Sequence, residues 1–287
     1  YKRQIQDGPE VNRDTIRMIE AAINEAKPDL VVFTGDQIRG YDPAYIDTFL
    51  RRRGENPGAR VRLVTEIEAK LHGIHRRIAA RRDPDLPPQD DVVTMDDLMN
   101  DTRQKVRDTF GAFLGPVINA GVPFAATYGN HDFQCGILPD EQDDIYREFP
   151  GCLNPEADAA GGSPLAIEPG TFALPVLSSD GSEHVAMGVM LVNSGDYAGK
   201  PEENDAQYPR YVAHSRGLDL ADSDGYGTPS AEAIAWLGDV QRTLAERNGD
   251  GEPVPSITFQ HIPPQEFYDC LTEAPARTPL SLIHISE

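Results

Sequence analysis

The chain has 287 residues, 39% hydrophobic and 25% charged, which is an ordinary balance for a globular protein able to bury a sizeable core. Its 47 acidic against 26 basic residues give a net charge of −21, which argues against a nucleic-acid or anionic-membrane binder. An enzyme for anionic esters tolerates that charge only where bound cations reverse its sign locally.

No apolar run reaches the roughly 18–20 residues that span a bilayer, and the opening YKRQIQDG has no signal-peptide core. A cytoplasmic protein without membrane or nucleic-acid partners is therefore expected. Cys135, Cys152 and Cys270 have no CxxC spacing and are odd in number. They are read as free thiols, with a single Cys135–Cys152 bridge as the alternative.

A first helix is predicted from about Asn12 or Asp14, with Ile16, Ile19 and Ile23 on one face and Pro28 beyond its end. Residues 30–33 form an apolar run of strand length that ends in Thr34-Gly35-Asp36. Residues 41 to about 115 read as an insertion and a return helix. Within the insertion, Val64, Ile67, Leu71, Ile74 and Ile78 make an apolar stripe that could cover a cleft or contact a second copy. His72 and His75 there read as part of a solvated basic face. The return helix, about 101–120, points Val106, Phe110, Phe113, Leu114 and Val117 inward.

Three further strands are predicted at 122–127, 184–192 and 256–259. They end in Tyr128-Gly129-Asn130-His131-Asp132, in Asn193-Ser194-Gly195-Asp196 and in Gln260-His261. Before the last of them a helix starts at Thr228-Pro229, with proline in its first turn and Ile234, Leu237, Val240 and Leu244 inward. Asp219, Asp222 and Asp224 before Gly225 lack the terminal glutamate of a calcium loop, because Ala231 stands at that spacing.

Strand after apolar strand thus ends in Asp, Asn or His. In layered α/β folds, sites form at the carboxyl ends of strands. Carboxylate, amide and imidazole together suit Mn, Fe or Zn better than Ca or Mg alone.

The ordered set Gly35-Asp36, Gly129-Asn130-His131-Asp132 and His261 resembles the calcineurin-like metallophosphoesterases. The wording GDQIRGYD, GNHD, NSGDY and FQHIPPQEFYD is similar to a non-purple branch related to purple acid phosphatases. The resemblance spans nearly the whole chain except the insertion at about 52–93. It implies a single catalytic domain over residues 1–279, built as a four-layer α-β-β-α sandwich around two metal ions of Mn, Fe or Zn type.

It also implies roles for residues. Asp36 would bridge the two metals, and Asn130 and His261 would ligate the second. His131 would protonate the leaving alkoxide or bind phosphate, with Asp132 orienting its ring. The implied activity is hydrolysis of a small phosphorylated substrate or phosphoprotein, by cations that activate the nucleophile and neutralise both reacting oxygens. A phosphodiesterase or nucleotidase of the same fold, or a binding module lacking the first metal site, are the alternatives.

Three departures stand beside the resemblance. Gln4-Ile5-Gln6-Asp7 occupies the place of the family's first Asp-x-His, and a terminal Gly-His-x-His is missing, so a chain cut short at both ends is expected. Leu280 to Glu287, LSLIHISE, is similar to a translated sequencing-adaptor read-through, so His284 is not taken as a ligand. Arg39 stands where purple enzymes carry tyrosine, so no tyrosinate–iron colour is expected; Arg39 and its neighbours could meet substrate phosphate, while Arg51, Arg52 and Arg53 read as surface charge.

Overall fold

The computed structural model describes residues 13–38, 44–45, 48–49, 95–156, 164–196 and 226–264. The readings made for residues 4–7, for Arg39, for the insertion with His72 and His75, for residues 219–225, for Cys270 and for His284 lie outside them.

In chain order the elements are α1 (Arg13–Ala26), β1 (Val31–Phe33), α2 (Met95–Asn119), β2 (Phe124–Ala126), α3 (Pro139–Arg147), β3 (Ala166–Glu168), β4 (Thr171–Leu177), β5 (Val185–Val192), α4 (Ala231–Asn248) and β6 (Ser256–Gln260). The architecture is mixed α/β, with two small sheets. β1 and β2 pair in parallel, with Val32 opposite Ala125. The second sheet runs β3-β4-β5-β6, antiparallel except for the parallel β5–β6 pair that aligns Leu191 with Phe259.

Strand alternation explains how the sheets bury their faces. Val31, Phe33, Phe124 and Ala126 join a core with Ile23 of α1, with Val106, Phe110, Phe113, Leu114 and Val117 of α2, and with Ile145 and Tyr146 of α3. The opposite-facing Val32 and Ala125 cluster instead with Phe172, Val189, Leu191 and Phe259 of the second sheet. Ala173, Val185 and Met190 then pack on Trp236, Val240 and Leu244 of α4. Among the described residues no helix is long and apolar enough to cross a membrane.

All the inward residues expected on α2 are buried. Two details of α4 differ from expectation. Ser230 is the N-cap, its Oγ accepting from Ala233 N at 3.0 Å, so Pro229 precedes the cap rather than sitting in the first turn. Ile234 is 57% exposed, and Trp236 is buried in its stead with its indole N–H on Pro164 O. Cys135 and Cys152 are free thiols, which settles the choice left open between them and a bridge.

β3 and β4 were not legible from the sequence. Pro175 falls in the middle of β4, where it looks like a strand breaker. It is tolerated because β3 reaches only Thr171 and Phe172, so the far edge of β4 is open by Pro175.

Beneath the site lies a buried polar cluster. Asp143 Oδ1 accepts from Tyr128 Oη at 2.5 Å and from Asn154 Nδ2 at 2.8 Å, while Asn154 Oδ1 accepts from Ala126 N. Burial, only partly offset by these donors, pushes the Asp143 carboxyl up from 3.8 to about 6. The native state therefore holds its proton more tightly than the unfolded chain does. The contribution of Asp143 to stability is greatest below pH 3.8 and is lost as pH rises through about 6. Asp143→Asn keeps an Oδ1 acceptor for both donors without the charge. Denaturant unfolding should show it more stable than wild type at pH 7, by on the order of 2 kcal/mol, and level with it near pH 4. Parallel pH profiles for the two proteins would contradict this account.

Candidate metal centre

The carboxyl ends of β1, β2, β5 and β6 meet. Thr127 N donates to Phe33 O, Ile262 N to Ser194 Oγ, and the His261 ring reaches Thr34 O. The convergence expected from the polar strand ends is what the fold delivers.

After β1 the chain turns through Gly35 (φ 104°) and Asp36 (φ 58°). Asp36 is a non-glycine residue in the left-handed region, a conformation that costs about 1–3 kcal/mol and clusters at functional sites. Gly129 permits the close approach that follows. A Cβ there would lie 2.6 Å from Asp36 N and 2.8 Å from His261 Cδ2.

Asp132 holds the two turns together. Its Oδ2 accepts from Asp36 N at 2.6 Å and Gly129 N at 2.7 Å, and its Oδ1 from Ile38 N at 2.9 Å. With its amide turned to suit its neighbours, Gln37 adds a donor to Oδ2 at 3.1 Å and accepts from Gly35 N at 2.8 Å. The expected pairing of Asp132 with the His131 ring is thus corrected: its carboxylate faces backbone amides. His131 Nδ1 instead meets Gln134 Oε1 at 3.0 Å. Sequence reading passed over Gln134, although three residues on one helical turn place it beside His131.

Asp36, Asn130 and His261 come together. His261 Nε2 lies 3.3 Å from Asp36 Oδ2 and 3.2 Å from Asn130 Oδ1, and Asp36 Oδ1 accepts from His131 N at 3.0 Å. Because Thr34 O only accepts, the His261 Nδ1 that faces it at 3.1 Å must carry a proton. In the neutral ring, Nε2 would then aim a lone pair at two oxygen acceptors. That arrangement favours a positive charge among the three atoms, either a proton on Nε2 or a metal ion.

The ionisation tendencies agree with this. Burial alone would lower the His261 ring, but the Asp36 hydrogen bond and charge, with Asp132 behind them, hold it above its ordinary value. Burial alone would raise Asp36, but His261 and then His131 hold it below the usual carboxylate range. Burial and then the Asp36 charge push Asp132 up to about 7 despite its backbone donors. Asp36, with the His261 ring against it and Asp132 behind, makes a place where positive charge is favoured.

The residues fit a metal ion on a second count. Donor atoms about 2.1 Å from one ion stand about 3.0–3.4 Å from one another in octahedral or tetrahedral sites, the spacing seen here. The Nδ1–H to backbone carbonyl bond is the usual outer partner of a ligating histidine. Only two of the three side chains are carboxylate or imidazole. Among the described residues no group of three or more His, Cys, Asp or Glu side chains that could hold a metal occurs. No protein-family model, curated protein or solved structure matches the chain.

Proposed function

We propose that this protein is a metal-dependent phosphoester hydrolase of the calcineurin-like kind, acting on phosphate monoesters. The observation that carries the reading is the placement of both Asp36 Oδ2 and Asn130 Oδ1 within 3.3 Å of His261 Nε2, an arrangement that favours a positive charge there. The packing order supports the layout. An order of α1 with α2, the β1–β2 sheet, the β3–β6 sheet and α4 as four layers would account for the three separate apolar clusters.

Two metal ions of Mn, Fe or Zn type would supply Lewis acidity and an activated water for attack on phosphorus. Asn130 and His261 would hold one ion, and Asp36 would be the carboxylate shared with the other. The family's Asp-x-His for the other ion is replaced here by Gln4-Ile5-Gln6-Asp7, which lies outside the described residues. His131, its backbone fixed by Asp36 Oδ1, gives a proton to the leaving alkoxide. Asp132 keeps the two ligand-bearing turns in register and is a scaffold for the site.

The test is metal content and p-nitrophenyl phosphate turnover of the intact protein beside His131→Ala. Bound metal, with turnover that falls about 10²–10⁴-fold in the variant, is the expected result. A metal-free protein inactive in added Mn, Fe and Zn would sink the catalytic reading and leave a binding module.

A further inference from the structure

We infer that Gln134 is a positioning residue whose side-chain amide, itself held by Asp196, locks the His131 ring in its Nδ1–H tautomer and reserves Nε2 for proton exchange. The catalytic consequence rests on His131 being the acid proposed above; the lock itself does not.

The geometry runs through two contacts. Gln134 Nε2 donates to Asp196 Oδ1 at 3.0 Å, and Gln134 Oε1 lies 3.0 Å from His131 Nδ1. The order of donors follows from chemistry. With Asp196 as a carboxylate, which only accepts, the Gln134 amide turns its NH₂ group to it. Its oxygen then faces the ring, and an amide oxygen also only accepts. His131 Nδ1 must therefore carry the proton.

Free histidine prefers the proton on Nε2, so the chain has to impose this form. Both Gln134 and Asp196 are fully buried, and neither can swing into water without breaking its contacts. Asp196 is fixed in turn, because Gly227 N donates to its carbonyl at 2.8 Å and a Cβ at 227 would lie 3.0 Å from its backbone nitrogen. The end of β5 thus reaches the His131 ring through one amide.

The proton count is consistent with the proposed reaction. As the phosphorus–oxygen bond to the leaving group breaks and a water oxygen bonds to phosphorus, imidazolium Nε2 gives its proton to the departing alkoxide. The ring left behind is neutral with its single proton on Nδ1, the form that Gln134 accepts.

The test reads the tautomer directly. Long-range ¹H–¹⁵N spectra of the ¹⁵N-labelled full chain in chelator, at a pH where the ring is neutral, identify His131 by the signals lost in His131→Ala. The expected result is about a tenfold or greater excess of the Nδ1–H form, the size that a charge-assisted hydrogen bond gives. That excess should vanish in Gln134→Met, which keeps the length without the amide. It should vanish too in Asp196→Asn, which lets the Gln134 amide turn over. An Nε2–H ring in the wild type, or an unchanged tautomer in either variant whose backbone amide spectrum stays native, overturns the inference. The wild-type spectrum decides even if both variants misfold. An Nδ1–H ring in a protein that cleaves no phosphate ester leaves the lock standing and sinks the hydrolase reading; turnover with an Nε2–H ring does the reverse.

Discussion

Asp132→Ala is expected to destabilise the fold by about 3–5 kcal/mol, the largest stability effect of any single change near the site. Its carboxylate receives the N–H groups of Asp36, Gly129 and Ile38, which belong to turns 94 or more residues apart for two of the three. Alanine leaves those donors in a site where Asp132 is 1% exposed. Each orphaned buried N–H costs about 1–3 kcal/mol, and water entry into the vacated space recovers part of the sum. Asp132→Asn separates geometry from charge. It keeps one oxygen for the amides and removes a charge that burial and Asp36 already disfavour. The loss should therefore be smaller than for alanine. Urea unfolding of both variants checks this. A loss below about 1 kcal/mol in the alanine variant would show that the turns hold themselves.

That role for Asp132 also marks where sequence reasoning stopped. The strand ends were legible because an apolar run broken by Gly-Asp or Gly-Asn-His-Asp carries two signals at once, burial of the run and projection of polar groups at its rim. Asp36, Asn130 and His261 could be named from that pattern, and the fold brings them together. Which neighbour each side chain touches depends on the turn geometry, which the pattern does not encode. Aspartate after histidine suggests a carboxylate–imidazole pair, yet the left-handed Asp36 presents a backbone amide to Asp132 instead. Gln134 was overlooked because a lone glutamine beyond a motif carries no sequence signal. Its role depends on Asp196, 62 residues away. On α4, Leu237, Val240 and Leu244 pack inward as the spacing suggests, but Trp236 also faces the core and Ile234 faces solvent.

Asp36→Asn is expected to remove metal-dependent stabilisation while leaving the metal-free fold intact, and this separates a cation site from a mere hydrogen-bond network. The variant keeps an oxygen for His131 N, so the local turn retains that acceptor. It lacks the charge that makes the meeting of Asp36, Asn130 and His261 attractive to a cation. Loss of a carboxylate ligand should weaken binding at least as much as loss of an outer partner, which costs about 10–100-fold. At a metal concentration of 100 Kd for the wild type, binding stabilises the native state by about 2.7 kcal/mol. A 100-fold weaker variant gains only about 0.4 kcal/mol under the same conditions. For a chain of this size the difference amounts to roughly 4 °C in the shift of Tm between Mn²⁺ or Zn²⁺ and chelator. Turnover of p-nitrophenyl phosphate should fall by on the order of 10³-fold or more, because the lost ligand serves both the ground state and the charge developing on the phosphoryl oxygens. If the metal-induced shift is equal in both proteins, Asp36 does not bind the ion and the centre lies elsewhere. If the shift disappears but wild-type and variant turn over equally little, the site binds a cation without catalysis, and the binding-module reading stands instead.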